Sequence, residues 1–318
     1  MIKKNDGETL NNHKKFFSKI GVNYLVLGLI ALVSQIILFN ILNTINPDYL
    51  SNMNILSGLG AICNYIIPFP LFYWLMKKLN TVKIENRGLD AKTFLIYMSI
   101  TLTLMWIGNI IGLVITMLLG GAIQTEIGNP VQQVINSTNI WFNLLIISIV
   151  APIFEEILFR KMLVDRTIKY GAKVSIILSA VVFGFFHGNL NQFFYAFLMG
   201  GFFAYVYIKT GNIKYTIIFH AIVNFMGSVV SLIVAEASMN LQTNFNPTDA
   251  FIITAYFILI LIILAIGFYG LTKYKKARFN GEKTEINLKA PLKTMFLNYG
   301  MVLFIIFCIC EMVYQIIG

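Results

Sequence analysis

Apolar residues run along this chain in blocks of about twenty, without alternation inside a block and with short polar stretches between blocks. A helix needs about 20 such residues to cross a roughly 30 Å hydrocarbon core, whereas a membrane strand alternates with period two. The pattern predicts spans at about 20–42, 55–79, 94–120, 140–163, 172–187, 190–208, 214–236, 251–272 and 295–317. The fold class is therefore all-α, a polytopic transmembrane helix bundle of about nine helices. Residues 1–19 read as a cytoplasmic N-terminal tail and 20–318 as a single membrane domain. The first apolar block is too long for a signal-peptide core and lacks an Ala-x-Ala-like site, so it reads as an uncleaved helix.

Charge orders these spans. With the N-terminus in the cytoplasm, every one of the 24 Lys and Arg falls before the first span, in an inside loop or at the inside end of a span. The outside loops hold Asp48, Glu126, Glu236 and Asp249 and no base. This satisfies the positive-inside rule and leaves the C-terminus outside. The net charge of +10 lies at helix ends and in loops, so it does not argue for a nucleic-acid partner. At 58% hydrophobic and 12% charged, the composition departs from a soluble domain, which is about 45–50% apolar and about 25% charged. The expected partners are the lipid bilayer and a membrane-associated peptide or protein substrate. The expected location is the cell membrane, multi-pass, and the Lys-, Asn- and Ile-rich usage looks bacterial.

Cys63, Cys308 and Cys310 sit in apolar blocks with no metal or disulfide spacing. Gly108 and Gly112 permit a close helix approach in the third span.

One block breaks the pattern. Phe154-Glu155-Glu156-Ile157-Leu158-Phe159-Arg160 places three charges in an apolar run, and charge at membrane depth marks function by default. Glu156 and Arg160 are four apart and can pair, with the planar guanidinium gripping the carboxylate through two bonds. Glu155 is turned about 100° away and is left without a partner on its own helix, which suits a general base. Pro152 removes a backbone hydrogen bond to Ser148. His187 ends the fifth span one turn after Phe183. His220 and Asn224 share one face of the seventh. His13 lies in the N-terminal tail and carries no expected role.

Polar groups in lipid must find one another, so Glu155, Glu156, Arg160, His187, His220 and Asn224 should converge in the bundle interior. Two chemistries fit. In one, a Glu–His pair activates water while His and Asn bind an oxyanion. In the other, Glu155, His187 and His220 hold zinc, which activates the water. Both are hydrolytic. At about 1.5 Å per residue, Glu155 and His220 fall roughly 8–9 Å from the inner face but His187 about 21 Å. A water-filled cavity bottomed near His187 is expected.

The three motifs, Glu-Glu-x-x-x-Arg at 155–160, Phe-x-x-x-His at 183–187 and His-x-x-x-Asn at 220–224, resemble those of the CPBP family of intramembrane endopeptidases. That family includes CaaX prenyl proteases and bacterial bacteriocin-processing and immunity proteins (the Abi group). The resemblance covers roughly 140–230. It implies Glu155 as the base with His187, His220 and Asn224 at the oxyanion, and Glu156 and Arg160, with Phe183, as supporting residues. The family has been described both as zinc-dependent and as glutamic without metal. The metal-free form, with no cofactor, is preferred here. A binding or immunity protein of the same fold and a proton-coupled transporter are the rival classes. The transporter would need inverted repeats, which the sequence lacks.

Overall fold

The computed structural model describes residues 2–274, 286 and 288–317. Lys275, Lys276, Arg278 and Lys283, part of the predicted inside charge, lie outside the described residues. Nine helices correspond to the nine predicted blocks. They are α1 (Ile2–Ile45), α2 (Met53–Lys77), α3 (Ala91–Ile123), α4 (Ile140–Tyr170), α5 (Ala172–Phe186), α6 (Leu190–Thr210), α7 (Ile213–Thr243), α8 (Pro247–Tyr274) and α9 (Tyr299–Ile317).

Among the described residues, eight of these are long and apolar enough to cross a membrane. The exception is α5, whose 15 residues span only about 22 Å. The ninth, α5, is a shorter apolar helix. Gly171, at φ 98°, and Gly188, at φ 61°, bracket α5 in backbone conformations that favour glycine. The polar Asn189 then caps α6, accepting from the Gln192 N–H at 2.8 Å.

Helix α1 runs unbroken from Ile2, so the segment before the first apolar block is helical. Phe16 and Phe17 place their rings 5.3 and 4.9 Å from that of Tyr170, and Phe17 is fully buried. His13 reaches the Tyr170 hydroxyl at 3.2 Å. At the start of α3, Asp90 caps the helix, and the Thr93 hydroxyl and amide hold its carboxyl below the usual range.

The packing centres on α6, which lies against α5 and α3. Gly108 and Gly112 make the α3 contact possible. A Cβ on Gly108 would meet the Tyr195 backbone, and one on Gly112 would sit 2.7 Å from the Asn191 oxygen. The predicted small-residue motif is therefore the α3–α6 seam. Helix α1 packs on α9, α8 on α3, and α7 on the first half of α4. A core of Phe17, Tyr24, Phe72, Phe159, Phe183 and Phe304 joins α1, α2, α4, α5 and α9. The Tyr24 hydroxyl donates to the Leu158 carbonyl at 2.8 Å, tying α1 to the charged stretch.

Candidate active site

Helix α4 is irregular where its chemistry lies. Two π-helical segments, Asn143–Val150 and Ile157–Lys161, flank the single α-helical stretch Ala151–Glu156. In the π register each carbonyl bonds five residues ahead, so Ala151 N–H goes to Ile146. The carbonyl that Pro152 leaves without a donor is then Ile147, not Ser148 as the α register predicts. Asn224 supplies the missing donor, with Nδ2 at 2.9 Å from the Ile147 oxygen. Asn224 thus clamps α7 to the irregular part of α4. Further π segments hold Tyr65 (Ile62–Ile66) and directly follow Asn224 (Met226–Val230).

Glu156 and Arg160 form the expected pair, with Nε 3.1 Å from Oε2 and both side chains 0% exposed. The two-bond grip does not form. The guanidinium lies against aromatic faces instead, 4.3 Å from the Phe183 ring centre and 5.2 Å from that of Phe203. Phe183 thus packs on the guanidinium face. The other oxygen of Glu156 meets His220, Nδ1 to Oε1 at 2.9 Å. A carboxylate can only accept, so His220 carries a proton on Nδ1 and turns Nε2 away from Glu156. That Nε2 lies 3.7 Å from Glu155 Oε2. His220 therefore bridges the two glutamates.

Glu155 differs from Glu156 in access. Its side chain keeps 14% of its surface, where that of Glu156 keeps none. Oε1 accepts from the Tyr65 hydroxyl at 2.6 Å, and Oε2 makes no hydrogen bond among the described residues. Tyr65 was not legible as a site residue. The available signal was a phenol in mid-span, since a buried tyrosine hydroxyl needs a partner. Phe154 stacks on Tyr65 at 5.6 Å and fixes the ring.

His187 donates from Nδ1 to its own helix, to the Phe183 carbonyl at 2.8 Å, because a carbonyl can only accept. Its Nε2 makes no hydrogen bond to the described residues. Its ring packs edge-on to Phe183 at 4.7 Å, and Phe183 in turn meets His220 at 5.8 Å. Glu155, His220 and Arg160 lie within Coulombic range of His187.

The apparent mismatch in depth disappears. Arg160 is not at the helix end but fully buried, and α4 continues to Tyr170. Glu155 and His187 then stand equally far along the chain, about 24 Å, from the Gly171 turn that joins α4 to α5. The described cavities lie elsewhere, and the larger is lined by Lys77, Leu79, Asn80, Thr81 and Arg166. The expected cavity bottomed at His187 does not coincide with it.

Two imidazole nitrogens and a carboxylate oxygen are donors that zinc accepts. Among the described residues, however, no three His, Cys, Asp or Glu side chains are placed to share one ion. Glu155, His187 and His220 as arranged do not fit a zinc centre, and no step below runs through a metal.

The fold and site together define a polytopic membrane protein with a paired-glutamate, two-histidine centre on three adjoining helices. A family model described as type II CAAX prenyl endopeptidase Rce1-like matches residues 137–226. The match begins just before α4 and ends just after Asn224, so it contains Glu155, Glu156, Arg160, His187, His220 and Asn224. It supports the resemblance to the CPBP and CAAX protease family. No curated protein and no solved structure matches the chain.

Proposed function

We propose that the protein is an intramembrane endopeptidase that hydrolyses a peptide bond in a membrane-associated protein or peptide precursor, without metal. The observation that carries this reading is Glu155 Oε2, a buried carboxylate oxygen without a hydrogen bond to the described residues, 3.7 Å from His220 Nε2.

Glu155 Oε2 and Nε2 of His187 hold the water. Glu155 takes a proton as the water oxygen bonds to the substrate carbonyl carbon. The oxyanion that forms is met by His220, which donates from Nε2 when it is an imidazolium. Glu156 and Arg160 hold His220 in this orientation and do not touch the substrate. Glu155 then passes its proton to the amide nitrogen, the C–N bond breaks, and an acid and an amine leave. Asn224 acts through Nδ2 on Ile147, and its second N–H is left to reach the oxyanion.

The test is N-terminal peptide mapping of membranes from cells that carry the wild-type chain or Glu155→Gln. The reading expects new N-termini in membrane-associated proteins with the wild type and their loss with the variant. Identical N-terminal sets, together with an unchanged cellular phenotype for Glu155→Gln, would assign the chain to the binding or immunity class.

A further inference from the structure

Arg166 follows the catalytic helix toward its α5 end and plays no part in the mechanism above. Its side chain is buried, at 7% exposure. Nε donates to the Met76 carbonyl and Nη1 to the Met162 carbonyl, each at 2.8 Å. These bonds fix the guanidinium plane between the end of α2 and α4. They satisfy two helix-end carbonyls but do not neutralise a charge.

The neighbouring carboxylate is already taken. Asp165 binds Lys161 Nζ at 2.7 Å through Oδ2 and the Tyr207 hydroxyl at 2.7 Å through Oδ1. Among the described residues no carboxylate lies within ion-pair distance of Arg166. Arg166 is therefore a buried, oriented cation without a direct ion pair among the described residues, and such a group ordinarily finds one. Nη2, the one guanidinium nitrogen with no hydrogen bond to the described residues, remains for it.

Arg166 lines a cavity of about 520 Å³ with Lys77, Leu79, Asn80 and Thr81. Lys77 is exposed and adds a second positive charge. Lys78 is engaged elsewhere, with Nζ 3.1 Å from the Trp74 ring centre. Trp74 and Tyr73, on the turn before Lys77, are exposed at 54% and 49%. Exposed aromatics beside a lysine pair mark the headgroup level of a bilayer. The cavity thus opens at headgroup depth, beside an apolar helix face that acyl chains can cover.

We propose that Arg166 and Lys77 form a site for the phosphate group of an anionic phospholipid headgroup. The planar fork of Arg166 suits two phosphate oxygens, and Lys77 adds a point charge at the mouth. Free phosphate shares this chemistry, so the test separates the two sources. The site stands apart from the protease reading, roughly 16 Å along α4 from Glu155, and does not depend on it.

The full chain, purified in detergent, is melted with added phosphatidylglycerol, phosphatidylcholine or inorganic phosphate. Phosphatidylglycerol is expected to raise Tm by several degrees, phosphatidylcholine by less, and inorganic phosphate by little. Lys77→Gln should reduce the phosphatidylglycerol shift, and Thr81→Asp, which puts a negative charge in the cavity, should abolish it. Both positions are exposed, so the test holds even where Arg166→Gln fails to fold. Equal shifts from inorganic phosphate and lipid would keep the phosphate site and overturn the lipid as its occupant. A phosphatidylglycerol shift unchanged in both variants would overturn the site itself.

Discussion

The Tyr65 hydroxyl donates to Glu155 Oε1 at 2.6 Å and leaves Oε2 as the oxygen of that carboxylate without a hydrogen bond to the described residues. Tyr65 comes from α2, outside the 137–226 segment. The first half of the bundle thus orients the Glu155 carboxyl that the second half carries. Hydrogen bonds to charged groups contribute about 1.5–3 kcal/mol. Tyr65→Phe should therefore lower kcat by roughly tenfold or more, with KM and melting temperature near wild type. Kinetics on a peptide taken from a mapped cleavage site check this. A change in KM alone would reduce Tyr65 to a packing residue.

Arg160 and Glu156 are each 0% exposed. Removing one partner leaves the other charge buried and unpaired, at a cost of about 3–5 kcal/mol. Arg160→Met should melt far below wild type in detergent. The double variant Glu156→Gln/Arg160→Met should recover most of that loss and still be inactive, because His220 is no longer held by a carboxylate. Thermal melts of the three proteins supply the comparison.

The Asn224 clamp exists because Pro152 has no N–H. Asn224→Ala leaves the Ile147 carbonyl without its donor and should cost about 1–3 kcal/mol. Pro152→Ala restores an N–H at that position. A double-mutant cycle should therefore show positive coupling, with Asn224→Ala less damaging in the Pro152→Ala background. Additive losses would mean that Asn224 stabilises the bundle by some other contact.

Activity should survive extensive treatment with a zinc chelator, and purified active protein should hold well under one zinc per chain. Loss of activity with the chelator that returns on adding zinc would replace Glu155-activated water with a metal-bound one.

The helices were legible because lipid demands long apolar blocks, and eight of the nine predicted spans meet that demand. The short α5 was legible only as an apolar helix, since a run of that length reads the same whether it crosses fully or stops at Gly188. The motif residues on α4, α5 and α7 stood out because charge and imidazole are rare in such blocks. What the sequence hid was register. Periodicity assumes 3.6 residues per turn, so it assigned the orphaned carbonyl to Ser148 and gave no reason for Asn224 to reach Ile147. The Glu156–Arg160 pair was legible from its spacing, but its aromatic cover of Phe183 and Phe203, from other helices, was not. Tyr65 was missed for a similar reason, since its partner lies 90 residues away.

The most direct test is the cleavage rate of the reconstituted protein on one mapped peptide bond, compared among wild type, Glu155→Gln and His187→Ala in the same vesicles. Loss of a general base costs about 100-fold to 10,000-fold. The account predicts a fall of at least about 100-fold in both variants, with melting temperatures close to wild type. Wild-type rates in a folded Glu155→Gln would contradict it.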